Sequence, residues 1–375
     1  MPNISKIQAG ESPVFTAAPQ PLQRMRSFSP YKQGKAEIAG LAQAIKLSSN
    51  ENPFGPSEAA LEAFRQAARN LHRYPDGSQS DLRLAIARVH NLDPDRIVCG
   101  NGSEELIGLL MRCYLGKDDE LLLSRNYFPM CAIYGKAQAA KIVLAPEKDF
   151  TIDVDSVLAR ITPKTRVLSI ANPNNPTGTY LKAAELRRFI EGVPKNILVI
   201  LDGAYAEYAD RDDFDDGMAF AHSSSNVVVT RTFSKIYGLA GLRVGWAYGP
   251  APIMEVVNRL RTPFNVNGPA LAAAAAAIAD QSHVKKCREH NARWLIRIRE
   301  ALGVCGLYVV PSVTNFYLLD FGSLPGKTAS KASAVLESKG IIARPGESDR
   351  FLRVTVGLDA ENQAVIDVLT GYLVS

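Results

Sequence analysis

Between residues 96 and 230 the chain repeats one pattern: a short, unbroken apolar or β-branched run, then a stretch of helical periodicity. The runs cover residues 96–99, 121–123, 141–144, 166–171, 197–201 and 227–230. A strand with no polar side must be buried on both faces, and the helices between such strands are what can bury it. The pattern predicts an α/β architecture, a mostly parallel sheet covered by helices on both faces. Two helices are expected before it, over 59–68 with Ser57 as its cap, and over 81–90.

After about residue 264 the pattern changes. Helices over 269–279 and 282–302 lead to strand-like runs at 316–319 and 352–355, with a helix near 331–339 between them. That mixture suits a smaller α+β domain with an antiparallel element. A chain of 375 residues has room for two domains. We expect a large domain over 46–265 and a small C-terminal domain over 266–375. Before them lies an arm over 1–45, rich in Pro, Ser, Gln and basic residues, which packs on the small domain or on a partner. The acidic stretch 210–216 reads as a solvated loop.

Composition narrows function by exclusion. With 46% apolar and 22% charged residues, the chain reads as a soluble globular protein. A net charge of +5 with no run of Lys and Arg suits small anionic substrates and not nucleic acid. No stretch approaches the ~20 uninterrupted apolar residues of a membrane span, and the N-terminus lacks a secretory pattern. Five dispersed cysteines without a C-x-x-C pair predict reduced thiols in a cytoplasmic protein. The five histidines have no metal-ligand spacing, so no metal site is expected.

Two glycine-rich stretches imitate nucleotide-binding loops. Residues 322–328 (Gly-Ser-Leu-Pro-Gly-Lys-Thr) have three positions between their glycines where a phosphate-binding loop has four, and read instead as a turn before a helix. Residues 100–105 (Gly-Asn-Gly-Ser-Glu-Glu) carry Glu105 where a dinucleotide fingerprint has its third glycine. They read as a turn feeding a helix N-terminus, whose free N–H groups suit a phosphate.

Three strands each end in a distinct polar group. The run 166–171 leads into residues 172–178 (Asn-Pro-Asn-Asn-Pro-Thr-Gly), the run 197–201 into Asp202 and Tyr205, and the run 227–230 into Ser234, Lys235 and Arg243. Ligands of open α/β sheets sit outside the carboxyl ends of strands, so these groups should meet in one crevice. Together they suit pyridoxal 5'-phosphate. Lys235 can condense with the aldehyde as a Schiff base, and Asp202 can keep the pyridine nitrogen protonated. Asn175 and Tyr205 can donate to the ring's phenolate oxygen. Ser234, Arg243 and the helix start at Gly102, Ser103 and Glu104 can hold the phosphate.

From Asn50 to Gly357 the chain resembles the fold-type I aminotransferases, and within them the histidinol-phosphate branch. The likeness is carried by Asn-Glu-Asn-Pro at 50–53, Arg-Tyr-Pro at 73–75, Gly-Ser-Glu at 102–104, the 172–178 stretch and Asp-Gly-Ala-Tyr at 202–205. It continues in Thr-Phe-Ser-Lys at 232–235, Gly-Leu-Ala-Gly-Leu-Arg at 238–243 and Leu-Arg-Val-Thr-Val-Gly at 352–357. The resemblance implies a homodimer with shared active sites, in which Tyr74 reaches the partner's cofactor phosphate. It implies Phe128 against the pyridine face, Arg353 on the substrate's carboxylate, and Tyr31 and Arg344 directed at the substrate. The implied reaction is amino transfer between a small anionic donor, histidinol phosphate, and 2-oxoglutarate.

The chain departs from the family in three places, one of them an arm before Tyr31 that is long for the family. Gly203 stands where Glu is common, and Asn126-Tyr127 replaces a more usual Pro-Thr or Pro-Ser. An aromatic amino-acid or prephenate aminotransferase uses the same scaffold, as does a decarboxylase of a phosphorylated amino acid, and the sequence leaves these open. A cofactor-binding regulator would need a DNA-binding module for which the arm is too short.

Overall fold

The computed structural model describes residues 19–41 and 43–374; residues 1–18 of the expected arm lie outside the described residues. Seven strands form one sheet: β1 (Ile97–Gly100), β2 (Glu120–Ser124), β3 (Lys141–Ala145), β4 (Thr165–Ala171), β5 (Leu198–Asp202), β6 (Val227–Thr232) and β7 (Gly245–Tyr248). Their order is β1-β7-β6-β5-β4-β2-β3. Every pair is parallel except the two made by β7, which runs antiparallel between β1 and β6. The six expected runs are strands. β7 has no counterpart among them, because four residues of mixed aromatic and small type carry no periodicity that separates strand from turn.

Alternate residues along each strand feed two cores. On one face Leu122, Val199, Leu201, Val227 and Val229 pack with α1 (Glu58–Ala67), α2 (Ser80–His90), α5 (Ala183–Gly192) and α7 (Gly268–Ala279). On the other, Leu121, Leu123, Leu198, Ile200 and Val228 pack with α3 (Ser103–Tyr114), α4 (Pro129–Ala137) and α6 (Ala251–Leu260). This double cover is why the strands read as unbroken apolar runs. Ser57 caps α1 by accepting from Ala60 N–H, as expected.

A second, four-stranded antiparallel sheet follows: β8 (Tyr308–Val309), β9 (Phe316–Asp320), β10 (Arg344–Pro345) and β11 (Phe351–Thr355), in the order β8-β9-β11-β10. Its core joins Leu319, Leu352 and Val354 to α9 (Ala329–Ser338) and α10 (Asp359–Val374). The long α8 (Gln281–Val304) belongs to both cores, with Val284 and Cys287 in the first and Trp294, Ile298 and Leu302 in the second. At 24 residues it is a strut of about 36 Å. A division at 265/266, which we propose, separates the two sheets, while α7 on its C-terminal side packs on α1 and α2. Ile45–Lys46 pairs in parallel with Ile341–Ile342, so the chain passes the small sheet before it reaches the large one.

Thr328 caps α9 through Lys331 N–H, which makes 322–328 a turn and a helix start. The acidic stretch 210–216 is not simply solvated. Asp216 accepts from Arg231 Nη2 at 2.7 Å, and Arg231 is only 2% exposed. A buried guanidinium needs such a partner, and its position on β6 gives no hint in sequence of a partner fifteen residues earlier.

Candidate active site

Strand register assembles the site. Ala171 lies opposite Asp202 and Asp202 opposite Thr230, so the ends of β4, β5 and β6 stand side by side. β7 sets Gly245 between Thr232 and Gly100, which brings the start of α3 beside the end of β6.

Lys235 Nζ donates to the carbonyl of Ser49 at 3.1 Å and lies 5.7 Å from the centre of the Tyr205 ring. Burial, helped by the guanidinium groups of Arg353 and Arg243, lowers its pKa to about 8. Asp202 Oδ1 accepts from Thr230 Oγ1 at 3.0 Å, while burial pushes its carboxyl above the ordinary range. Such a carboxylate is stabilised by any cationic N–H that approaches it. The Tyr205 hydroxyl accepts from Asn50 Nδ2 at 2.8 Å, and burial pushes its pKa up to about 12.

Arg353 Nη1 donates to Asn175 Oδ1 at 2.6 Å and Nη2 to the carbonyl of Ser48 at 3.1 Å. Its buried Nε has no hydrogen-bond partner among the described residues. Arg344 sits directly opposite Arg353 across the β10–β11 pair, and donates through Nη2 to the carbonyl of Lys32 at 2.6 Å. Burial lowers the Arg353 pKa, and repulsion from Arg344 adds to it. Among the described residues neither guanidinium pairs with a carboxylate; the contacts are carbonyls and an amide. The Arg344 guanidinium lies 5.8 Å from the Tyr31 ring, which meets Phe128 edge-on at 6.2 Å. Tyr31, Phe128, Arg344, Arg353 and Asn175 therefore line one continuous wall.

On the other side, Arg243 Nη1 donates to Ser234 Oγ at 3.0 Å. Gly102 has φ 84°, and a Cβ there would come within 2.5 Å of Arg243 Nη2, so only glycine fits. α3 starts at Ser103 with no side-chain cap. The N–H groups of Ser103 and Glu104 at its first turn have no intrahelical partner, the arrangement that suits an anion at a helix start. Gly102 is a correction: its own N–H donates to the carbonyl of Gly100 at 2.8 Å, so it contributes room and not a donor. The Glu104 carboxylate accepts from Tyr134 Oη at 3.1 Å and stands 3.9 Å from Arg243 Nη2. A cavity of about 360 Å³ opens here, lined in part by Asn101, Glu104, Arg112, Tyr134, Arg243 and Leu260.

Tyr74 does not join the cluster within one chain. It is 83% exposed and stacks on Phe264 at 4.7 Å. Gly203 packs against Arg231, whose Nη1 donates to the Gly203 carbonyl at 3.2 Å; a Cβ on Gly203 would stand 3.1 Å from Arg231 Nε, so the buried guanidinium would have to shift by a few tenths of an ångström. Sequence reasoning assigned no role to Asn50, which has φ 55° and joins Tyr205 to Thr355 and Asn315. Its signal was the Asn-Glu-Asn-Pro stretch. The carbonyls of Ser48 and Ser49 left no signal, because backbone groups carry no residue type.

The model of the aminotransferase class I and II family matches residues 42–369. The chain belongs to that family. This aminotransferase is 48% identical to the histidinol-phosphate aminotransferase of Paramagnetospirillum magneticum, over 95% of its own length and 99% of the relative's. It is 45% identical to that of Rhodopseudomonas palustris, over 95% and 98%. The crystal structure of histidinol-phosphate aminotransferase from Sinorhizobium meliloti in complex with pyridoxal-5'-phosphate has 30% identity and a TM-score of 0.87, covering 95% of this aminotransferase and 98% of that chain. The family and fold read from the sequence are borne out.

Proposed function

We propose that this aminotransferase holds pyridoxal 5'-phosphate on Lys235 and moves an amino group between histidinol phosphate and 2-oxoglutarate, giving imidazole-acetol phosphate and glutamate in histidine biosynthesis. One observation carries the substrate: Arg344 and Arg353 face each other across adjacent strands, and among the described residues no carboxylate pairs with either. Like charges so placed repel, and a bound anion removes the repulsion. A guanidinium fork takes a phosphate or a carboxylate with equal ease. One wall can thus serve histidinol phosphate, which has no carboxylate, and glutamate, which has two. The likeness to histidinol-phosphate aminotransferases supports the same reading.

The donors present fit the cofactor, which when bound supplies an aldehyde for the amino group and an electron-withdrawing ring. Asp202 would hold a proton at the ring nitrogen. Asn175 accepts from Arg353 through Oδ1, which leaves Nδ2 to join Tyr205 Oη at the phenolate oxygen. Ser234, Arg243 and the N–H groups of Ser103 and Glu104 would hold the phosphate, and Phe128 the ring face. Lys235 Nζ, with a pKa of about 8, is partly unprotonated near neutral pH. Once the incoming donor amine has displaced it, the freed Lys235 amine can take the proton from the carbon that bears the donor's amino group.

Arg353→Ala is expected to weaken every donor by about 30- to 150-fold in kcat/KM, the loss of a contact worth about 2–3 kcal/mol to a charged group. Arg344→Ala should harm histidinol phosphate, whose phosphate carries nearly two negative charges, more than phenylalanine or tyrosine, whose one carboxylate carries a single charge. A wild-type preference for phenylalanine, or an equal effect of Arg344→Ala on all donors, would move the substrate to the aromatic class.

We further propose a homodimer in which Tyr74 of each subunit completes the neighbouring site; its exposure of 83% supports this. Mixing Tyr74→Phe with Lys235→Ala subunits should then create one site free of both changes. Mixed dimers no more active than the mean of the two parents would count against sharing. Among the described residues no helix is long and apolar enough to cross a membrane. All five cysteines are unpaired, which supports a reducing, cytoplasmic setting.

A further inference from the structure

The departure at Asn126 has a structural counterpart. Asn126 N–H donates to Glu147 Oε1 at 3.0 Å and its Nδ2 to Glu147 Oε2 at 2.6 Å, so one residue engages both carboxylate oxygens. A proline at this position could make neither bond. Glu147 is largely withdrawn from water, which pushes its carboxyl above the ordinary range against the pull of these two bonds. The carbonyl of Asn126 accepts in turn from Asn174 Nδ2 at 3.1 Å and from Ser124 Oγ at 3.1 Å. Asn174 is 1% exposed, and it is tied further by Thr177 Oγ1 at 3.1 Å and by its own N–H to the carbonyl of Thr179 at 2.7 Å.

Three segments therefore meet at one residue: the turn between β2 and α4, the strand Glu147–Lys148, and the 172–178 loop. Two positions after Asn126 stands Phe128, the N-cap of α4, with its ring against Tyr31. Next to Asn174 stands Asn175, which holds Arg353. We propose that Glu147 and Asn126 are positioning residues: a clamp that sets Phe128 and Asn175 together, and so fixes how the cofactor ring is seated and how Arg353 is aimed. The inference rests on the pyridoxal-phosphate reading above. It deepens that reading by naming two residues that touch neither cofactor nor substrate.

The pair of hydrogen bonds to one carboxylate gives the clamp a donor–acceptor polarity, and its side-chain half can be reversed. In Glu147→Gln one acceptor becomes an N–H donor facing Asn126 Nδ2, and one bond is lost. In the double variant Glu147→Gln/Asn126→Asp the donor and acceptor trade places, and both bonds can form again.

The experiment uses holoenzyme and three readings: visible circular dichroism of bound pyridoxal phosphate, its dissociation constant, and the melting temperature. Glu147→Gln should reduce the dichroism band and weaken cofactor binding by about tenfold, the scale of one charge-assisted hydrogen bond. The double variant should return both readings to within about twofold of wild type. Should Glu147→Gln fail to fold, Asn126→Ser removes only the side-chain bond and should move band and affinity in the same direction. Variants with the wild-type band and affinity would overturn the clamp. So would a loss that follows the melting temperature and is not recovered in the double variant. A wild-type protein with no cofactor band would overturn the cofactor reading and the clamp with it, whereas a wild-type band beside unchanged variants overturns the clamp alone.

Discussion

Lys235→Ala should lower turnover by about a thousandfold or more, because one amine supplies both the attachment point and the proton carrier. The protein should still fold: among the described residues Lys235 Nζ makes one hydrogen bond, to the Ser49 carbonyl, and removing a buried amine with a depressed pKa relieves a desolvation cost. The same pKa sets a pH dependence. A lysine held at about 8 is neutral above that pH, and the neutral amine is the nucleophile. Uptake of pyridoxal phosphate by the cofactor-free protein should therefore speed up as pH rises through about 8 and level off above it. An ordinary lysine would keep accelerating to beyond pH ~10. A stopped-flow absorbance series across pH distinguishes the two, and a rate still climbing at the upper end would contradict the burial of Lys235 described here.

Asp202→Asn should cost on the order of 100- to 1,000-fold in turnover while leaving cofactor affinity much less affected. The substitution keeps the shape, and the amide oxygen can still accept from Thr230 Oγ1. What it removes is the negative charge that would hold a proton at the ring nitrogen. Kinetics and cofactor titration on the same preparation separate these effects. Near-normal turnover would mean another carboxylate does this work. Equal losses in turnover and affinity would reduce Asp202 to a tether.

Much of this was legible because the fold writes its double-sided burial into the sequence. The unbroken runs located six strands of the large sheet, and the groups just past their ends, Asp202 and Lys235, were visible as polar interruptions. What sequence could not carry is register and backbone. Arg344 and Arg353 could be seen as two arginines, but only the β10–β11 pairing puts them face to face. The grip of the Ser48 and Ser49 carbonyls on Arg353 and Lys235 has no residue signature. Arg231 hides its partners Asp216 and Gly203 in loops that read as solvent-facing and as a family departure. Gly102 looked like a donor because helix starts usually offer one. A tight turn to Gly100 had already used its N–H.

The central claim, that Lys235 carries the cofactor at the meeting point of three strand ends, is tested most directly by chemical trapping. Holoenzyme reduced with borohydride, digested and mapped by mass spectrometry should carry a single pyridoxyl label, on Lys235. A label on any other lysine, or none at all from protein that shows the cofactor's absorbance, would contradict it.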